Sequence, residues 1–258
     1  MSLKFSIITC TRNSKPYVSA SISSVLAQDH ANIEYIFVDG GSTDGTLEEV
    51  QSINRPITLV QGVTGGIASA MNAGIAVATG DVIAHMHSDD YYIRNDAISI
   101  AARAFRNESK KWAFGRSVSD VDGRMVPEAY IAPIYSYSML LKRNFVPHAA
   151  TFVRRSVFQE LGNFDSAYRL AMDYEMWLRI GKSYQPTIIQ EPLAAFRRHQ
   201  GSATQMNQLA SLNEDFRVRF KYAPPYRYPD FVVRYIKRRY ELTLKARSNG
   251  NDLGLINK

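Results

Sequence analysis

Over its first third the chain alternates short, almost wholly apolar runs with stretches of helical period, and that pattern leaves few folds open. The runs KFSIITC, IEYIFVD, ITLVQG and DVIAHMH are rich in β-branched residues and show no regular polar face, as expected of strands covered on both sides. After the first run, Asn13, Ser14 and Pro16 open a helix over YVSASISSVLAQ. After the second, the turn-forming GGSTDG leads into TLEEVQSI, a helix whose early glutamates suit its positive N-terminal end. A third helix, GGIASAMNAGIAVATG, carries small residues that permit close packing. Strands and helices in strict turn are βαβ units, so the expected fold class is α/β, a mostly parallel sheet between layers of helix. Open sheets of this kind take ligands beyond the carboxyl ends of their strands. That rim holds Thr9, Thr11, Arg12, Asp39 and Asp89.

From about Asp120 the pattern weakens. HAATFVRR and PLAAFRRH read as strands, and SVFQELG and the stretch around AMDYEMWLRIG as helices. A chain of 258 residues, 45% of them apolar, can bury a sizeable core. Its longest apolar runs fall short of the roughly 18 to 20 residues that span a bilayer. The N-terminus enters a strand at once, so neither a membrane span nor a signal peptide is expected, and the expected location is the cytoplasm. Cys10 has no second cysteine to pair with and, in an apolar strand, reads as a small buried thiol.

The net charge of +7 is unevenly spread: residues 217–247 hold ten Lys/Arg against two Asp/Glu, and the rest of the chain is close to neutral. The prolines of YAPPYRYPD, residues 222–230, mark a boundary. Beyond it Val232, Ile236, Tyr240 and Leu244 recur every four residues among arginines and lysines, the pattern of a basic amphipathic helix. Over residues 230–247 such a helix suits an anionic membrane surface, and a solvated helix packed on its own domain or on a second subunit is the alternative. The oligomeric state stays open. A nucleic-acid partner is not expected, because the charge sits in the tail while acids line the presumptive cleft.

Chemistry concentrates in GDVIAHMHSDDYY, residues 80–92, where a strand runs into adjacent carboxylates. Asp89 and Asp90 repel each other, and a hard divalent cation that also binds a substrate's phosphates would neutralise them. A helix N-cap followed by an acid at the first helical position is the alternative. His85 and His87 share one strand face, and His85 reads as a hydrogen-bonded core histidine.

Taken in order, SIITCTRN, VDGGSTDGT, GGIASAMNAGIAVATGDVI, HSDDYY, GNFDSAYRLAMDYEMWLR and FRRHQGSAT resemble the family 2 glycosyltransferases, whose nucleotide-diphospho-sugar-binding fold is called GT-A. The resemblance implies a GT-A-like domain over residues 1–221, with a nucleotide-sugar-binding half (1–115) and an acceptor-side half (116–221), followed by the extension at 222–258. It implies inverting transfer of a sugar from a nucleoside-diphosphate sugar, a UDP-sugar by preference, to a hydroxyl of a glycan or lipid-linked acceptor. It further implies Mn²⁺ or Mg²⁺ as the divalent cation, and bacterial surface-polysaccharide synthesis at the inner face of the membrane. A sugar-nucleotide-forming nucleotidyltransferase shares the topology and the metal, but CTRNSKPY lacks the glycine-rich triphosphate loop of those enzymes.

Carried over by position, Thr9, Thr11, Arg12, Asp39, His87, Ser88 and Asp89 fall on the donor side. Asp39 matches the acid that accepts a hydrogen bond from the base, with a turn-capping role as the alternative. Asp89 aligns with the metal-binding carboxylate, and His199 with a histidine that reaches the metal from the opposite side. Asp90 reads as a supporting or helix-start acid. Asp173 matches the aspartate that serves as general base, its alternative being a first-turn helix acid. Arg197, Arg198 and His148 fall on the diphosphate and acceptor side, and Phe164 and Asp165 in a loop that shapes the acceptor pocket. Arg12, Ser69, His87 and Met172 depart from the family pattern, where an aromatic residue or acids are common.

Overall fold

The computed structural model describes residues 3–127, 134–199, 201–202 and 206–252, with side chains as far as residue 244. Gln200, Ala203 and Thr204 of the last sequence block, and residues 253–258 of the expected extension, lie outside the described residues.

Four strands, β1 (Phe5–Thr11), β2 (Ile33–Asp39), β3 (Thr58–Gln61) and β4 (Val82–His85), form a parallel half-sheet in the order β3-β2-β1-β4. The connecting helices are α1 (Lys15–Leu26), α2 (Thr46–Gln51) and α3 (Ile67–Val77). Every residue of β1 is buried, because alternate side chains feed two separate cores. Phe5 and Ile7 join the core under α1 and α2, whereas Ile8 and Cys10 join the one under α3. The small residues of α3 matter here. A Cβ on Gly74 would stand 2.5 Å from Ile8 Cγ2, so only glycine lets the helix approach the sheet this closely.

The second half of the sheet contains β5 (Tyr91–Tyr92), β6 (Trp112–Val121), β7 (Arg124–Pro127), β8 (Thr151–Arg154) and β9 (Thr187–Arg198), with helices α4 (Ala97–Ala104), α5 (Tyr137–Leu140), α6 (Arg155–Leu161) and α7 (Met172–Ser183). The order continues from β4 through β8, β6 and β9 to β5, with β7 paired to β6. β8 runs antiparallel to β4, and β9 parallel to β6, with register shifts near Arg116. β9 covers far more than the short strand expected from PLAAFRRH. Its last residues run antiparallel to β5, pairing Tyr91 with Ala195 and Tyr92 with Ala194.

The chain ends in α8 (Gln208–Tyr222) and α9 (Tyr228–Asp252), separated by the proline segment, where Ala223 and Pro224 are extended. Phe231 of α9 is 1% exposed and belongs to the same apolar cluster as Trp177 of α7. Rings of α9 also pack on α8, Tyr235 on Phe216 at 4.3 Å and Tyr228 on Phe220 at 4.2 Å. The opposite side of α9 leaves Val233, Ile236 and Tyr240 between 59% and 66% exposed. Among the described residues no helix is long and apolar enough to cross a membrane.

Candidate active site

The carboxyl ends of β1 and β4 open onto a cavity of about 890 Å³, a size typical of small-ligand sites. Thr11 ends β1 and donates its hydroxyl to Asp39 Oδ1 at 2.9 Å. Asp39 is 1% exposed and accepts three further bonds from the turn that follows it: Gly41 N–H and Ser42 N–H, each at 2.8 Å, and the Ser42 hydroxyl at 2.5 Å. Burial opposes the charge, but the bonds from Ser42, Thr11 and Gly41 outweigh it and hold the carboxyl below its usual range. Its oxygens are thus occupied by the protein. Asp39 braces the rim, while Thr11, Arg12 and Gly40 line the cavity itself. Arg12 lays its stem over Gly40, where an added Cβ would meet Arg12 Cδ at 3.5 Å.

Beyond β4 the chain delivers His87, Ser88, Asp89 and Asp90 to the cavity wall. Ser88 Oγ lies 2.8 Å from Ser14 Oγ, which ties this loop to the start of α1. Asp89 Oδ2 stands 3.0 Å from His199 Nε2, and the ring of Tyr17 packs on His199 at 4.4 Å. Asp90 differs sharply from its neighbour. It is 2% exposed, and burial together with the Asp89 charge pushes its pKa well above the usual range. Its Oδ1 accepts the backbone N–H of Arg197 at 3.1 Å.

Two histidines, His87 and His148, line one face of the site, and His85 packs behind them. His148 stacks on His87 with ring centres 4.5 Å apart and planes at 11°, and lies 5.6 Å from His85. Burial lowers all three pKa values, that of His85 to about 3, so the rings are neutral at physiological pH. Among the described residues the ring nitrogens of His148 have no hydrogen-bond partner. His85 is the core histidine expected of it, at 5% exposure.

Across the cavity, Asp173 sits in the first turn of α7. Its Oδ1 accepts its neighbour's backbone N–H, from Tyr174, at 2.6 Å, and its Oδ2 faces the Asn144 amide at 3.4 Å. Burial is the main influence and lifts the carboxyl to about 6. The turn that presents it is clamped from α8. Glu214, 8% exposed, accepts the backbone N–H groups of Arg169, Leu170 and Ala171 at 3.1, 2.7 and 2.9 Å. Met172, which stands where the family pattern has an acid, turns into the core at 8% exposure.

Three residues expected at the site stand outside the lining of this cavity. Thr9 is fully buried with its hydroxyl 3.3 Å from Tyr35 Oη, because it stands one pleat deeper in β1 than Thr11, which shares its strand face and lines the cavity. Arg197 and Arg198 do not line the cavity. Arg197 lies over Tyr91 and Tyr17 at 5.1 and 5.3 Å and pairs with Asp120 at 3.5 Å, while Arg198 Nε donates to Ser119 Oγ at 2.7 Å. Both are drawn toward β6, beside which β9 runs. Ser69 also avoids the cavity, its hydroxyl donating to Gly65 O at 3.2 Å. Tyr17, Asn144 and Glu214 were not legible as site residues. They act through contacts between distant segments and carry no local motif.

The parallel half-sheet, its antiparallel continuation and a cavity at the strand ends define a GT-A transferase fold. Staphylococcus aureus TarS, solved in complex with UDP, superposes with a TM-score of 0.69 at 18% identity, over 93% of this chain and 72% of that one. The mannosyltransferase PcManGT of Pyrobaculum calidifontis, solved with GDP-Man and Mn²⁺, gives a TM-score of 0.68 at 18% identity over 91% and 70%. An uncharacterized glycosyltransferase of Mycobacterium tuberculosis is 30% identical over 74% of each chain. Residues 6–162 match the family model described as Glycosyl transferase family 2, and the chain belongs to that family of enzymes.

Replacing Glu214 by alanine leaves the three N–H groups before α7 without their acceptor. A destabilisation of roughly 1–3 kcal/mol is expected, read as a lower denaturant midpoint. An unchanged midpoint would contradict the clamp.

Proposed function

We propose that the protein is an inverting, cation-dependent glycosyltransferase that moves a sugar from a nucleoside-diphosphate sugar, a UDP-sugar by preference, to a hydroxyl of a glycan or lipid-linked acceptor. The observation that carries the proposal is that the Asp89–His199 pair and the half-buried carboxyl of Asp173, its pKa raised by desolvation, line one cavity. The ligands of the solved neighbours, UDP in one and GDP-Man with Mn²⁺ in the other, support the donor class and the cation.

Asp89 and His199 offer a carboxylate and an imidazole, a donor set that suits Mn²⁺ or Mg²⁺. Among the described residues no third His, Cys, Asp or Glu joins them. Diphosphate oxygens and water would complete the shell, as is common for cations that the protein holds through one or two groups. When bound, the cation would neutralise charge on the departing diphosphate.

On the acceptor side Asp173 accepts the proton of the attacking hydroxyl. The oxygen bonds to the anomeric carbon as the bond to the diphosphate oxygen breaks on the opposite face, and the configuration inverts. Tyr174 N–H and Asn144 hold the carboxylate in place. Thr11, Arg12 and Ser88 serve the donor nucleotide, with the Arg12 guanidinium free to stack on a base. His87 and His148, both neutral, form a hydrogen-bonding wall between the donor and acceptor ends.

The exposed Val233, Ile236 and Tyr240 stand beside Lys237 and Arg239 on α9, which supports action at an anionic membrane surface, on the cytoplasmic side, in cell-surface polysaccharide synthesis. Converting Ile236 and Tyr240 to aspartate should reduce sedimentation with phosphatidylglycerol vesicles, and equal pelleting would remove the membrane role.

Asp173→Asn should leave donor affinity intact and lower kcat by about 100-fold or more. Because burial raises the carboxyl, the base is protonated and idle below its pKa, so the wild-type rate should rise with pH through about 6 and then level off. Near-normal turnover of the variant, or a rate that does not change with pH across that region, would refute the assignment.

A further inference from the structure

Four arginines and three acids line the cavity. At the donor end the acids are Asp89 and Asp90 and the arginine is Arg12. Near Asp173 the arginines are Arg143 and Arg169, and Arg116 of β6 also lines the cavity. These arginines come from separate segments. Arg116 lies on β6, Arg143 directly precedes the Asn144 that touches Asp173, and Arg169 belongs to the turn clamped by Glu214.

Arg143 and Arg169 are exposed residues that nevertheless line the cavity. Glu214 spends both carboxylate oxygens on backbone N–H groups, so it fixes the position of Arg169, a residue of the cavity lining, through its main chain. Arg116 reaches Gln190 through Nη2 at 2.7 Å, and its buried Nε has no partner among the described residues. A cleft that serves a neutral hydroxyl compound gains nothing from such a cluster, whereas clustered cations in a cleft raise the local concentration of anions.

We infer that the acceptor carries an oxyanion, a phosphate or a carboxylate, held by Arg143 and Arg169 close to the hydroxyl that Asp173 deprotonates. The inference deepens the proposed function and rests on its assignment of the Asp173 end to the acceptor. Guanidinium groups match the paired oxygens of either anion in a bidentate way, which fixes orientation as well as affinity.

The test titrates the full chain, saturated with UDP and Mn²⁺, with sn-glycerol 3-phosphate, glucuronate and methyl glucoside in turn. Binding of an anion but not of the neutral glycoside is expected, and the anion that binds more tightly identifies the group. Arg143→Gln and Arg169→Gln should each weaken that binding by about tenfold without altering UDP affinity. The inference is overturned if the glycoside binds as tightly as the anions, if UDP displaces them, or if both variants bind them like the wild type. Failure of UDP to bind would count against the donor assignment alone, and the same titration without nucleotide would still decide the oxyanion subsite.

Discussion

The site depends on the pairing of β5 with β9. The two residues of β5 follow directly on Asp90, and their ladder to Ala194 and Ala195 brings the end of β9 alongside the end of β4. His199 thereby reaches Asp89 across 110 residues of sequence. The same pairing resolves the repulsion between Asp89 and Asp90. Asp90 is buried against the Arg197 backbone and keeps its proton well above the usual carboxyl range, which leaves Asp89 as the partner that meets His199. One acid of the pair is a brace and the other a ligand candidate. Arg197 supports the arrangement indirectly, since it packs on Tyr17 and Tyr17 packs on His199.

The opposite end of the cavity is held by α8. Besides the Glu214 clamp, Glu175 of α7, with a side chain 1% exposed, collects Arg179 at 2.6 Å, Lys221 at 2.9 Å and the Tyr222 hydroxyl. A buried carboxylate left without such partners would be strongly destabilising. Asp215 of α8 lies close enough to interact with Asp173 and is itself lifted to about 7, chiefly by burial. The first C-terminal helix is therefore part of the apparatus that presents Asp173, and a sequence block ending near residue 205 does not contain everything the site needs.

Local pattern was sufficient for the parallel half of the molecule. IEYIFVD coincides with β2, and the strands and helices up to β4 lie within a few residues of their expected limits, because continuous apolar runs and small-residue helices leave little choice. Side-chain direction was harder to read. Thr9 and Cys10 are adjacent in β1, yet of the two only Cys10 edges the cavity, and how deep a ligand reaches along a doubly buried strand depends on elements elsewhere in the chain. Asp39 was legible as important, and its four protein hydrogen bonds also tie it to the rim. The full length of β9 and the roles of Asn144 and Glu214 arise from contacts between distant segments, which no local period encodes.

The account stands on a cation shared by Asp89, His199 and a nucleoside diphosphate. The most direct test is calorimetric titration of UDP, GDP and dTDP into the protein with and without Mn²⁺, repeated for the tightest binder with His199→Ala. The account predicts that binding requires Mn²⁺ and weakens by about tenfold or more in the variant. Equal affinity without the metal, or a variant that binds like the wild type, would contradict it.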